Sequence, residues 1–94
     1  MRLVHIGAAA VSLKVGDFRG NIERLAAAVH EAKEAGIHLL ATPELSISGY
    51  SLEDRIWWPD IAKRSAKALE RLAAECRGIS VFAGLPVVID GLMY

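Results

Sequence analysis

The chain has 94 residues, about the size of one small domain, and its eleven Lys and Arg balance eleven Asp and Glu. The zero net charge argues against a nucleic-acid or anionic-membrane partner, and the 53% hydrophobic content excludes intrinsic disorder. A single cysteine rules out an internal disulfide, and no apolar run approaches the roughly 18 residues of a membrane span, so we expect a cytoplasmic protein.

The first half of the chain has the pattern strand, helix, strand. Residues 3–11 form an apolar run without helical periodicity, which predicts a strand buried on both faces. Asp17 is a candidate N-cap for a helix over residues 20–35, whose apolar positions recur at helical spacing and which Gly36 ends. Residues 37–42 predict a second short strand.

A loop and a longer helix follow. Pro43 ends the second strand because its ring removes a backbone donor. Residues 51–54 resemble a helix-capping box, and Pro59 suits the first turn of a helix that Gly78 closes. That helix is predicted to bury one continuous stripe, made of Ile61, Ser65, Ala68, Leu69, Leu72, Ala73 and Cys76.

The last part of the chain predicts a third strand and a hairpin. Residues 79–85 read as a strand, and Asp90-Gly91 is a strong two-residue turn signal, so residues 92–94 begin a fourth strand. Alternating strands and helices predict an α/β fold with a mostly parallel sheet. Because no strand follows Tyr94, we expect residues 1–94 to be the N-terminal portion of a truncated domain. The alternative is a complete small α/β protein that ends in a frayed strand.

The sequence does not support a phosphate-binding loop, a metal site or a nucleophilic cysteine in this β-α-β pattern. The loop at residues 16–20 lacks the glycine spacing of phosphate-binding loops. His5, His30, His38 and Cys76 share no ligand spacing, so we expect no metal site. Cys76 lies on the apolar stripe with no adjacent base in the sequence, which indicates a small core residue rather than a nucleophile.

Glu44 is the strongest candidate for a catalytic residue. It lies directly beyond the C-terminal end of a predicted parallel strand, where open α/β sheets form their ligand crevice. Pro43 stiffens the backbone there, and Ser46, Ser48 and Tyr50 surround Glu44 with hydrogen-bonding groups. A carboxylate in this position can act as a general base. On these residues alone, a solvated loop acid is an equally good interpretation.

Three motifs resemble the nitrilase, or carbon–nitrogen hydrolase, superfamily. Residues 43–50, Pro-Glu-Leu-Ser-Ile-Ser-Gly-Tyr, are similar to the segment around the catalytic glutamate of its members. The Gly-Asp-x-x-Gly-Asn stretch at 16–21 resembles the one that follows their first strand. Gly-Leu-Pro at 84–86 with Leu-Met-Tyr at 92–94 resembles two of their later strands. The Ser-Leu-Glu-Asp continuation at 51–54 is most similar to the glutaminase domains of glutamine-dependent NAD⁺ synthetases.

The resemblance implies an α-β-β-α sandwich, of which this chain supplies the first strands and two helices packed on the same sheet face. It also implies a Glu-Lys-Cys triad that hydrolyses glutamine to glutamate and ammonia, and the ammonia feeds NAD⁺ synthesis. Glu44 matches the general base of that triad, and Tyr50 matches a tyrosine near the glutamine pocket.

The other two triad members are expected beyond Tyr94, after the strand that typically ends in Tyr-Asn. Lys63, Lys67 and Cys76 do not match the family's lysine and cysteine motifs. The 94 residues alone are therefore expected to be inactive.

The resemblance also implies partners and cofactors. The amidase chemistry needs no cofactor, whereas ATP and Mg²⁺ are expected in a separate synthetase domain, on the same or a partner chain. The substrate is glutamine or another small amide, and a homo-oligomer is expected. Two alternatives stay open: a stand-alone nitrilase-type amidase acting on another amide or nitrile, and a non-catalytic α/β interaction module in which Glu44 is a solvated acid.

Overall fold

The computed structural model describes residues 3–49 and 59–94. In this part of the chain, strands and helices alternate and a hairpin follows. The elements are β1 (Ile6–Ala8), α1 (Phe18–Glu34), β2 (Leu39–Ala41), α2 (Pro59–Ala74), β3 (Ser80–Phe82), β4 (Val88–Ile89) and β5 (Leu92–Met93). The predicted order of elements is confirmed, except that residues 88–89 form a separate strand, β4, so the strand predicted to begin at residue 92 is β5. Strands β1, β2 and β3 have three residues each and are shorter than predicted. The predicted capping box at 51–54 lies outside the described residues.

The three longer strands form one parallel sheet in the order β1-β2-β3. Ile6 of β1 is in register with Leu39 of β2, which is in register with Ser80 of β3. The central strand β2 is therefore paired on both sides, and its C-terminal end lies in the middle of the sheet edge. This confirms the predicted parallel sheet.

The helix ends follow the predicted capping chemistry with small shifts. The Asp17 carboxylate accepts a hydrogen bond from the Gly20 N–H at 3.0 Å, which confirms the N-cap of α1. Gly36, with φ +76°, follows α1 in the left-handed region. Helix α2 ends at Ala74, four residues before the predicted stop at Gly78. None of the described helices is long and apolar enough to cross a bilayer.

Both helices pack on one face of the sheet and contact each other, as predicted. Part of the predicted α2 stripe is wrong, because Leu69 and Ala73 are exposed. The core between the helices and the sheet consists of Phe18, Ile22, Leu25, Val29, Ala32, Leu40, Ile47, Ile61, Ala68, Leu72 and Ile79.

The opposite face of the sheet is bare within the described residues. Ile6 is 71% exposed and Phe82 is 64% exposed, and Ala8 and Ala41 lie exposed between them. We call this surface, which Leu39 completes, the open face. The prediction that β1 is buried on both faces is therefore wrong for the described part of the chain, because no element described here covers this side.

The hairpin forms at the predicted turn. Strands β4 and β5 pair antiparallel, and Asp90 and Gly91 between them have φ values of +50° and +77°. Two positive φ angles are characteristic of the type I′ turn, which matches the twist of the two strands. The backbones of Val87 and Tyr94 extend the pairing with N···O distances of 2.9 and 2.7 Å.

Candidate active site

Glu44 lies three residues beyond the end of the central strand β2, at the start of a turn over residues 44–48. Its side chain is exposed. The carboxyl ends of β1 and β3 lie on either side, so Glu44 is at the sheet edge where parallel α/β sheets bind ligands. The predicted location of Glu44 is confirmed.

The turn itself is tightly hydrogen-bonded. The Ser46 N–H donates to the Pro43 carbonyl at 3.1 Å, and the Gly49 N–H donates to the Leu45 carbonyl at 2.8 Å. Leu45 has φ +50°, a conformation that costs a residue with a Cβ roughly 1–2 kcal/mol. Such backbone persists where the surroundings determine it, and Leu45 lies between the exposed Glu44 and the buried residues 46–49.

A buried asparagine fixes the turn on the α1 side. The side-chain amide of Asn21, itself completely buried, donates to the carbonyls of Lys14 at 2.9 Å and Ile47 at 3.1 Å. Its Oδ1 accepts from the Lys14 N–H at 2.9 Å, so both amide hydrogens and the oxygen are paired. The Gly16 N–H also donates to the Ser48 carbonyl at 2.9 Å. The loop before α1 and the Glu44 turn are therefore one hydrogen-bonded unit.

The segment after β3 fixes the turn on the other side. The Ile47 N–H donates to the Gly84 carbonyl at 3.1 Å, and the Gly84 N–H donates to Ser46 Oγ at 3.3 Å. Thr42 Oγ1 donates to the Phe82 carbonyl at 2.6 Å and lies 3.0 Å from Ser46 Oγ. The turn is thus held from both neighbouring strand ends.

Two glycines allow the backbones to approach this closely. Gly49 has φ +89°, and a Cβ built there would lie 2.7 Å from the Cα of Val15. A Cβ on Gly84 would overlap the backbone nitrogen of Leu45. Any side chain at either position would displace the turn that carries Glu44.

The surroundings of Glu44 differ in part from those predicted. Ser46 and Ser48 are fully buried and do not surround the Glu44 carboxylate as expected, because their hydroxyls bond to Thr42 and to the Gly49 carbonyl instead. Tyr50, the predicted substrate-binding residue, lies outside the described residues. Asn21 and Gly84 belong to motifs that carry the family resemblance, but the sequence predicted no role for them or for Thr42. An asparagine beside the apolar stripe of α1 is a signal that could have indicated the role of Asn21.

Cys76 is partly buried and lies at the edge of the core, after the end of α2. It packs against the core, its Sγ donates to the Leu72 carbonyl at 3.2 Å, and burial raises the pKa of its thiol. Glu75 raises this pKa further, while Lys33 acts in the opposite direction. A thiol that resists ionisation is a poor nucleophile, which agrees with the interpretation from the sequence.

Two of the histidines contact each other at the start of the parallel sheet. His5 and His38 are exposed, and the His5 N–H donates to Nδ1 of His38 at 2.9 Å. Among the residues that the structure describes, no group of three or more His, Cys, Asp or Glu is arranged to hold a metal ion.

Comparison with known proteins gives a consistent picture. The family model described as "Carbon-nitrogen hydrolase" matches residues 6–91. The chain is 34% identical over 86 residues to the glutamine-dependent NAD(+) synthetase of Aquifex aeolicus, covering 89% of this chain and 15% of the relative. It is also 34% identical over 80 residues to that of Drosophila melanogaster, covering 83% of this chain and 10% of the relative. The chain thus spans about one seventh of the first of these relatives.

Solved structures agree with the sequence matches. The crystal structure of a glutamine-dependent NAD(+) synthetase from Cytophaga hutchinsonii superposes with a TM-score of 0.94 at 36% identity, covering 97% of this chain and 16% of that one. An amidase from Nesterenkonia sp. superposes with a TM-score of 0.79 at 29% identity, covering 88% of this chain and 32% of that one. The arrangement around Glu44 therefore occurs within a nitrilase-type α/β fold.

Proposed function

The chain belongs to the carbon–nitrogen hydrolase family, and we propose that it forms the first part of a glutaminase domain that hydrolyses glutamine to glutamate and ammonia. The observation that carries this proposal is the placement of Glu44. Its carboxylate is exposed at the carboxyl end of the central parallel strand, on a turn that hydrogen bonds hold from two sides. A fixed carboxylate in an accessible position is what a general base requires.

In the proposed reaction, Glu44 takes the proton of a cysteine thiol as the sulfur attacks the carboxamide carbon of glutamine. A lysine stabilises the negative oxygen of the tetrahedral intermediate. Glu44 then returns the proton to the departing nitrogen, which leaves as ammonia, and a thioester remains. Water, deprotonated by the same carboxylate, hydrolyses the thioester to glutamate.

In this proposal the catalytic cysteine is not Cys76, and the catalytic lysine is neither Lys63 nor Lys67. Cys76 packs against the helical core and has a raised thiol pKa, and Lys63 and Lys67 are on α2. These groups are on the helix layer, whereas Glu44 follows the sheet edge. The family resemblance assigns the thiol and the ammonium group to motifs that the 94 residues do not contain, and these residues alone are proposed to be inactive.

The names of the relatives support glutamine as the substrate and NAD⁺ synthesis as the use of the ammonia. Tyr50, next to the Glu44 turn in sequence, is proposed to contact glutamine. ATP and Mg²⁺ would be needed by a separate synthetase domain and not by the amidase chemistry. The expected partner of these residues is therefore that domain, on the same or another chain.

A second candidate function is a stand-alone amidase that acts on a different amide. The observation behind it is the similarity to the Nesterenkonia amidase, which superposes with a TM-score of 0.79, against 0.94 for the Cytophaga hutchinsonii synthetase. A panel of small amides and nitriles, assayed with the complete gene product, separates the two functions. Preference for glutamine by at least about tenfold in kcat/KM supports the glutaminase.

The test of Glu44 uses the complete open reading frame that encodes these residues. Glu44→Gln keeps the size of the side chain but removes the base, so glutamate release should fall about 10²–10⁴-fold. Glu31→Gln is the matched control, because Glu31 is an exposed acid on α1. Activity of Glu44→Gln near that of the control would refute the assignment and favour a non-catalytic module.

A further inference from the structure

Two hydroxyl groups lie on either side of Glu44 in the chain, at Thr42 and Ser46. Their oxygens are 3.0 Å apart, so they close a short loop of five residues with Glu44 at its centre. Ser46 is completely buried and Thr42 is half-buried. The proposed function gives neither residue a role, although they are the side chains that pin the two ends of this loop.

The direction of every hydrogen bond in this pair follows from counting hydrogens. A hydroxyl carries one hydrogen, and Thr42 Oγ1 must donate its hydrogen to the Phe82 carbonyl at 2.6 Å, because a carbonyl oxygen only accepts. Thr42 Oγ1 must therefore accept from Ser46 Oγ. Ser46 Oγ in turn accepts from the Gly84 N–H at 3.3 Å.

The result is a directed chain from the Gly84 N–H through Ser46 and Thr42 to the Phe82 carbonyl. It begins at Gly84, two residues after β3, and ends at Phe82, the last residue of β3. The Thr42 N–H also donates to the Phe82 carbonyl, at 3.0 Å. Hydrogen bonds therefore attach both ends of the Glu44 loop to the C-terminal end of β3. Each of the two hydroxyl groups donates its one hydrogen.

We propose that Thr42 and Ser46 are positioning residues for Glu44, which hold its carboxylate at one place relative to the end of β3. This inference rests on the proposed role of Glu44 as general base. Displacing a reacting group by about 1 Å can cost on the order of 100-fold in rate. Loss of the hydroxyl chain should therefore reduce turnover more than substrate binding.

The experiment replaces Thr42 in the complete gene product. Thr42→Val keeps the shape of the side chain but removes the hydroxyl, and kcat for glutamine hydrolysis should fall about 10- to 100-fold while KM stays within about threefold. Thr42→Ser restores the hydroxyl and should return kcat to within about threefold of the unaltered protein. Ser65→Ala is the matched control for removal of a hydroxyl, because Ser65 is as completely buried as Ser46 but its hydroxyl has no hydrogen-bond partner among the described residues.

Ser46→Ala provides the second variant and keeps the test informative if Thr42→Val does not fold. It should lower kcat in the same way, and the double variant should be no worse than the more impaired single variant, since one chain is broken in each case. Additive losses, or equal losses in Ser46→Ala and Ser65→Ala, would overturn the proposal. So would a lowered Tm with unchanged kcat in either hydroxyl variant.

Glu44→Gln, assayed in parallel, separates this inference from the proposed function. If Glu44→Gln is inactive and Thr42→Val and Ser46→Ala have normal kcat, Glu44 is the base but the hydroxyl chain does not position it. If Glu44→Gln retains full activity, the proposed function fails and the positioning role fails with it.

Discussion

The side chain of Asn21 donates a hydrogen bond to the carbonyl of Ile47 at 3.1 Å, across 26 positions of the chain. Asn21 lies in the first turn of α1, and Ile47 lies in the turn that begins at Glu44. Both residues are completely buried. The position of the candidate base therefore depends on a polar group in the helix that precedes its strand.

Replacing this asparagine should destabilise the protein more than replacing an exposed neighbour. Asn21→Ala leaves the buried carbonyl of Ile47 and the N–H of Lys14 without their partner, and a buried unpaired group costs about 1–3 kcal/mol. Arg19→Ala, the control, removes an exposed ion pair with Glu23 on the same helix and should cost less than about 1 kcal/mol. Urea unfolding of both variants measures the difference, and equal losses would contradict this account.

Gly84 should tolerate no side chain. A Cβ there would meet the backbone of Leu45, and overpacking of this kind typically costs about 1–3 kcal/mol. Gly84→Ala should therefore lower both Tm and amidase activity, since the contacted residue adjoins Glu44. Gly78→Ala is the control: Gly78 has φ +79° but open space around its Cα, so it should lower Tm without affecting activity. Activity lost equally in both variants would argue against a local effect.

The Glu44→Gln variant should separate two activities if the complete gene product is a synthetase. Glutamine-dependent synthesis should fall with glutaminase activity, while synthesis from added free ammonia should persist, because that step would use another domain. Both rates can be followed by NAD⁺ formation with glutamine or an ammonium salt. Loss of both rates together would instead indicate that Glu44 is needed for folding.

Cys76 should react slowly with alkylating agents in the folded protein. Burial raises the pKa of its thiol, so less thiolate is present at a given pH than in the unfolded chain. Iodoacetamide labelling of the Cys76 peptide, followed by mass spectrometry, should be slower in buffer than in urea at pH 8. Labelling in buffer that matches the urea rate would contradict the raised pKa.

The same shift has a consequence for stability, with a defined sign. Because the folded-state pKa is raised, the stabilisation is fully present below the unfolded thiol pKa of about 8.5 and is lost as pH rises through the folded value. Above about pH 8.5, ionisation of this thiol should lower the free energy of unfolding as pH rises. Cys76→Ser should remove this contribution, so stability should fall less steeply in that range.

The open face should make the isolated 94-residue polypeptide associate. Ile6 and Phe82 expose most of their side chains beside Ala8 and Ala41, and contiguous apolar surface of this kind drives association. Light scattering at micromolar concentration should detect oligomers, and Phe82→Lys should reduce them. Leu69→Lys is the control on the α2 surface and should have little effect. A monodisperse monomer of the unaltered polypeptide would contradict this prediction.

Much of the fold could be predicted because its signals are local. Asp17 and Gly36 mark the limits of α1 through capping and left-handed backbone, which depend on neighbouring residues alone. Asp90 and Gly91 set the hairpin for the same reason. The strand lengths and the bare side of β1 were not predictable, because pairing and burial depend on which distant segments lie alongside.

For the candidate site, the sequence by itself determined which residue to examine and in which kind of place. Pro43, Glu44 and the glycine at 49 carry the family resemblance, and the order of strands places them at the sheet edge. Only the tertiary structure decided what holds Glu44 there. Asn21, Thr42 and Gly84 act through hydrogen bonds and close contacts that span 4 to 40 positions of chain. Such partners are brought together by sheet register and helix packing, and a linear pattern does not encode the geometry at which they meet.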